Sequence, residues 1–150
     1  MGLKIHKVEP YKKGMIKKTP FVRRGNVAGR LVAIMDLKLD NRELELISPI
    51  SRVIKVGEIH EIVTTEEQST KVCNKVGYIG FFEVMRGGVL EVGDTILIKE
   101  RTVGEILGFN NAHMPNHMNI VIKVKKRATG VKLNLKLDDS VLIKGRRKRS

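Results

Sequence analysis

The chain has 150 residues, a net charge of +13, one cysteine and six aromatic side chains with no tryptophan. That length is one ordinary domain with room for a sizeable core, and the lone Cys73 excludes an internal disulfide or a cysteine metal cluster. No apolar run approaches the roughly 18 residues of a membrane helix, and Met1-Gly2-Leu3-Lys4-Ile5-His6-Lys7 lacks the apolar stretch of a signal peptide, so a soluble cytoplasmic protein is expected.

The charge is unevenly divided. Residues 1–30 hold nine Lys/Arg against the single acid Glu9, and residues 144–150 add five more basic side chains, whereas residues 31–143 carry fifteen of each sign. The body is neutral and the excess is terminal. Two readings remain open for these ends: solvated tails that aid solubility, or electrostatic arms for RNA, DNA or an acidic partner, whose affinity falls steeply with salt. On the second reading the contacts are Lys12, Lys13, Lys17, Lys18, Arg23, Arg24, Arg146, Arg147, Lys148 and Arg149. Few aromatics and no RNA-recognition or helix-turn-helix signature make that a non-specific nucleic-acid binder.

In chain order, residues 1–26 contain Pro10, Pro20 and Gly14 with little periodicity and read as an irregular basic arm with one short strand near Thr19 to Arg23. From Val27 the residues Leu31, Ala33, Met35, Leu37 and Leu39 alternate, Asp40-Asn41 supplies a turn, and Leu44 and Leu46 follow. That pattern predicts a β-hairpin. Arg52 to Val63 is a further candidate strand, with Gly57 marking a bulge or turn. Thr64-Thr65-Glu66-Glu67-Gln68 suits a short helix capped by threonine. Gly77 to Met85 holds three of the six aromatics and reads as a strand buried on at least one face.

A weak echo runs through Ile54 to Ile62, Leu90 to Ile98 and Leu135 to Ile143, each with apolar first, third and ninth positions around a turn-like pair. Shared β-turn chemistry and internal duplication both account for it. No long 3.6-residue stripe occurs, so the expected fold is mainly β, a small barrel or sandwich over residues 27–144 between the arm at 1–26 and a basic tail at 145–150.

The segment Asn110-Asn111-Ala112-His113-Met114-Pro115-Asn116-His117-Met118-Asn119 holds two of four histidines and four of eight asparagines. It lies between the predicted strands Thr102 to Phe109 and Asn119 to Val124, and loops carried on a sheet are where binding residues collect. Asn110, Asn111, His113, Asn116, His117 and Asn119 are the candidate ligand-binding set, offering both donors and acceptors to a small polar ligand or a protein partner. The structural alternative is that the asparagines turn the loop while Met114 and Met118 plug it onto the core. His113 and His117 have the spacing of a zinc helix, but Pro115 between them opposes a helix. A third metal ligand, from Glu58, His60 or Glu61, requires the Arg52 to Val63 strand to lie beside the loop. No Ser-His-Asp, Cys-His or paired-carboxylate arrangement and no phosphate-binding glycine loop is visible, so no catalytic constellation or cofactor is assigned.

The run from Tyr78 to Ile143, with Gly87-Gly88 leading to Leu90-Glu91-Val92-Gly93, Leu107-Gly108 before a polar loop, the apolar Ile120 to Val124 and a late Asp139 to Leu142, resembles the sorbitol-specific enzyme-IIA component of the sugar phosphotransferase system. In that family a histidine in the first of these strands accepts the phosphoryl group; here Ile79-Gly80-Phe81-Phe82-Glu83 has none. The resemblance therefore implies a fold without that phosphotransfer. The chain also resembles a domain of unknown function from anaerobic bacteria and archaea, which implies no activity.

Overall fold

The computed structural model describes residues 21, 23–69 and 71–145. Its strands are β1 (Val27–Leu39), β2 (Leu44–Glu45), β3 (Ser51–Ile54), β4 (Ile59–Thr65), β5 (Val72–Cys73), β6 (Val76–Arg86), β7 (Gly88–Glu91), β8 (Thr95–Ile98), β9 (Arg101–Asn110), β10 (Asn119–Lys123) and β11 (Ser140–Lys144), with no helix among the described residues. Seven of them hydrogen-bond in the order β1-β11-β8-β9-β10-β4-β6, and β6 pairs back onto β1, which closes the ladder. The mainly-β expectation is met. Every neighbouring pair is antiparallel except β10 with β4. Two small two-stranded sheets, β2-β5 and β3-β7, lie outside this ladder.

Alternation along the strands sorts side chains into two cores. Leu31, Ile62, Phe82, Ile96, Ile120 and Ile122 belong to the larger cluster, while the intervening Val63 and Val121 join Leu44, Cys73, Val76 and Tyr78 in a second one. The second forms because β2 and β5 cover one side of the ladder. Strands β4 and β10 are thereby buried on both faces, and each large aliphatic side chain so buried contributes roughly 1.5–3 kcal/mol. Cys73 is fully buried there, and burial pushes its thiol up to about 11. Where β6 crosses β1, Gly80 adopts φ +146°, and a Cβ at that position would collide with the Ala33 carbonyl oxygen.

Three expectations need correction or refinement. Leu44–Glu45 does not return along β1 as a hairpin; it pairs with β5, because Leu44 gains more burial in the second core than along the exposed end of β1. The helix expected at 64–68 is absent. Thr64 and Thr65 end β4 instead, and their hydroxyls bond Ala128 and the Lys75 carbonyl, partners that local sequence cannot reveal. The stretch from Arg52 to Val63 is two strands, β3 and β4, parted at Gly57 with φ 92°.

The sequence echo has a physical basis in three equivalent turns. At 55–58, 91–94 and 136–139 the first residue's N–H donates to the carboxylate of the fourth, Glu58, Asp94 or Asp139, at 2.7–2.9 Å. The fourth residue's N–H donates back to the first carbonyl. The third residue has positive φ in each: Gly57 92°, Gly93 96° and Asp138 72°. This is the type II pattern, closed by a carboxylate.

Candidate functional site

The single parallel pair sets the geometry of one rim. Because β4 and β10 run in the same direction, both begin at the same end of the ladder, and Glu61 stands opposite Asn119. The segment 111–118 enters β10 from β9 at that end, so it lies beside His60 and Glu61. The expectation of a loop is met: residues 112–116 are turn, with Asn116 N–H and His117 N–H both donating to the His113 carbonyl.

The two asparagines at the loop's ends hold it to the rim. Asn110 is buried, donates to the Glu45 carbonyl at 2.7 Å, and accepts from Ala112 N–H and from the Asn119 amide at 3.0 Å each. Met118 is fully buried, but Met114 is 42% exposed, so only one of the loop's two methionines plugs the core. His60 is also structural. Its Nδ1 accepts the Met118 N–H at 3.0 Å, which places the ring proton on Nε2, 3.2 Å from Glu58 Oε1. Burial holds His60 below the usual histidine range, against the pull of Glu58.

A second cluster lies beside it. His117 Nε2 faces Glu61 Oε1 at 3.4 Å, with no hydrogen bond to that nitrogen among the described residues. The Phe81 ring meets the His117 imidazole edge-on at 4.9 Å, and His113 stacks on it at 4.9 Å from the exposed side. Burial pushes the Glu61 carboxyl up, opposed by the electrostatic influence of His113 and Arg42, and lowers His117. Burial thus acts against the charged form of each. Among the described residues no three His, Cys, Asp or Glu side chains are grouped to hold a metal ion.

Asn110, Asn111 and Ala112 line an open groove of about 760 Å³ together with Arg42, Glu43 and Arg52. Of the six candidate ligand-binding residues, Asn110 and Asn119 are buried in the rim, Asn111, His113 and Asn116 are exposed, and His117 is half-buried between. The structure brings His117 to Glu61 and leaves His60 on Glu58 and Met118. Phe81 and Arg42 were not legible as site residues, since only the pairing of β4 with β6 sets Phe81 opposite Glu61. Of the basic set, Arg24 is held bidentate by Asp94 at 2.6 and 2.8 Å and Arg23 is exposed. Lys12, Lys13, Lys17, Lys18, Arg146, Arg147, Lys148 and Arg149 lie outside the described residues, as does most of the strand expected near Thr19 to Arg23.

These features define the class first: a mainly-β domain with a polar loop and an adjoining groove at one rim. Residues 21–144 match the model for a Family of unknown function (DUF6917), and the chain belongs to that family. No curated protein and no solved structure matches it. Nothing in these comparisons ties it to the sorbitol-specific enzyme-IIA component. No helix among the described residues is long and apolar enough to cross a membrane.

Proposed function

We propose that the chain is a cytoplasmic, non-catalytic β module that binds a small polar ligand at the rim formed by the loop 110–119. The observation that supports this most is the groove beside the loop, which Asn111 lines together with Arg42, Glu43 and Arg52. Such a lining offers donors and acceptors of both charge signs, which suits a hydroxyl-rich or zwitterionic molecule. Calorimetric titration with a panel of sugars, polyols and amino acids tests it. A ligand found in this way should lose binding when Asn111, His113 and Asn116 are replaced together by alanine; unchanged binding removes the site.

A protein partner on the same exposed face and non-specific nucleic-acid binding through the basic ends are the further readings. The second is favoured by one pairing, Val27 opposite Ile143, which brings Arg23 and Lys144 to the same end of the ladder. A salt-dependent shift assay of the full chain against one lacking residues 1–20 and 146–150 checks it, and equal weak binding by both removes it.

A further inference from the structure

At the opposite end of the ladder a larger groove of about 950 Å³ opens between the β8–β9 turn, the segment following β10, and residues 133–135. Its cations are Lys99, Arg101, Lys123, Lys125 and Lys126, against the acids Glu66 and Glu105. Residues 31–143 hold fifteen of each sign, so the rest of that body is left with ten cations and thirteen acids. The neutral total conceals a local concentration of positive charge.

These cations differ from three of the arginines elsewhere. Arg24 is paired with Asp94, Arg30 with Glu83 and Asp138, and Arg127 with Asp40. None of the five groove cations has an ion pair or a side-chain hydrogen bond among the described residues. Beneath them the lining is apolar: Ile98 is buried, and Val103, Val124 and Leu135 pack against the main core. The apolar floor is thus part of the rigid frame.

The lip is also held in an uncommon conformation. Lys99 and Glu100 both have positive φ, 54° and 66°, in the two-residue turn between Ile98 and Arg101. Such a turn favours Asn-Gly, and non-glycine residues kept in this region point to a functional position. Asn134, at φ 56°, lies on the groove as well.

We infer that this groove binds a small amphipathic anion, its carboxylate or phosphate head held by Lys99, Lys123 and Lys125 and its apolar body laid on Val103, Val124 and Leu135. The volume is that of a small-molecule site, and the apolar floor distinguishes it from a track for a polyanion, which needs charge or stacking aromatics along its length.

The test is titration calorimetry of the full chain at low salt with octanoate and octyl phosphate, beside inorganic phosphate, octanol and an oligothymidylate strand. One or both amphipaths should bind about tenfold or more tighter than phosphate and than octanol; which head is preferred separates a carboxylate from a phosphate source. Replacing Lys99, Lys123 and Lys125 together by glutamine should weaken that binding about tenfold or more, with the melting temperature unchanged. The variant K99N/E100G, which relaxes the turn, should weaken it while raising the melting temperature. Phosphate binding as tightly as octyl phosphate, octanol binding as tightly as octanoate, or unchanged affinity in the triple variant would overturn the assignment. So would an oligothymidylate that binds more tightly than either amphipath and is lost in that variant.

Discussion

The two ends of the ladder use polar residues in opposite ways. At the rim with the loop 110–119, Asn110 makes three hydrogen bonds, both nitrogens of His60 are occupied, and His117 is enclosed by Phe81, His113 and Glu61. At the other end five cations surround an apolar floor without partners among the described residues. Dense polarity in one stretch of sequence produced mainly a turn bonded to its own rim, with His117 Nε2 and Asn119 Oδ1 left without a hydrogen bond among the described residues. Cations scattered over two strands and two connections produced a surface with unmet capacity for an anion. The contrast follows from desolvation: most buried polar groups find a partner in their own chain, whereas an exposed lysine has no such requirement.

The comparison depends on the frame that separates the ends, and its most severe test is Gly80→Ala. The added Cβ collides with the Ala33 carbonyl and the residue must hold φ +146°, so a loss of about 3 kcal/mol is expected in urea unfolding. Both ends should fail together.

A variant confined to the loop rim separates them. Asn110→Ala removes the groups facing the Glu45 carbonyl, the Ala112 N–H and the Asn119 amide. A cost of about 2 kcal/mol follows, because the buried Asn119 amide loses its acceptor and two part-buried hydrogen bonds are lost with it. Octyl phosphate affinity at the far groove should be unchanged, measured by the same calorimetry.

Acidity near pH 6.5 acts on the loop rim, where His60 and His117 lie. Burial holds His60 and His117 below 6.5, so the folded chain takes up their protons less readily than the unfolded chain. Their contribution to stability is complete above pH 6.5 and is lost as the pH falls below it. Glu61 has the reverse sign: its carboxyl is raised from 4.5, so its contribution is present below pH 4.5 and is lost as the pH rises through its folded value. Glu61→Gln should therefore raise the melting temperature at pH 7, while H60N/H117Q should flatten the fall below pH 6.5. A melting profile unaffected by either would show that the two histidines and Glu61 are not the titrating groups.

The smallest effect belongs to the far end. K99N/E100G should gain about 1 kcal/mol, since it replaces two strained residues by the pair this turn prefers.

Much of the frame was legible because it rests on local periodicity. The buried character of Gly77 to Met85, the strands flanking the loop, and the break at Gly57 all follow from alternation and turn chemistry within about ten residues. The failures share one cause. Leu44 left the expected hairpin for Cys73, and Thr64 left the expected helix for Ala128, each drawn by a partner distant in sequence.

The candidate site divides in the same way. By itself the sequence determined that 111–118 is a loop, since Pro115 opposes a helix and strand alternation resumes on either side, and that Cys73 forms no internal disulfide. Only the tertiary structure decided what the loop touches. The parallel pairing of β4 with β10 placed Glu61 against His117, and the antiparallel pairing of β9 with β10 drew Arg101 and Lys123 to one groove from positions 22 residues apart. Side-chain periodicity is a local property of the chain, but strand direction and neighbour are chosen by burial summed over the whole ladder.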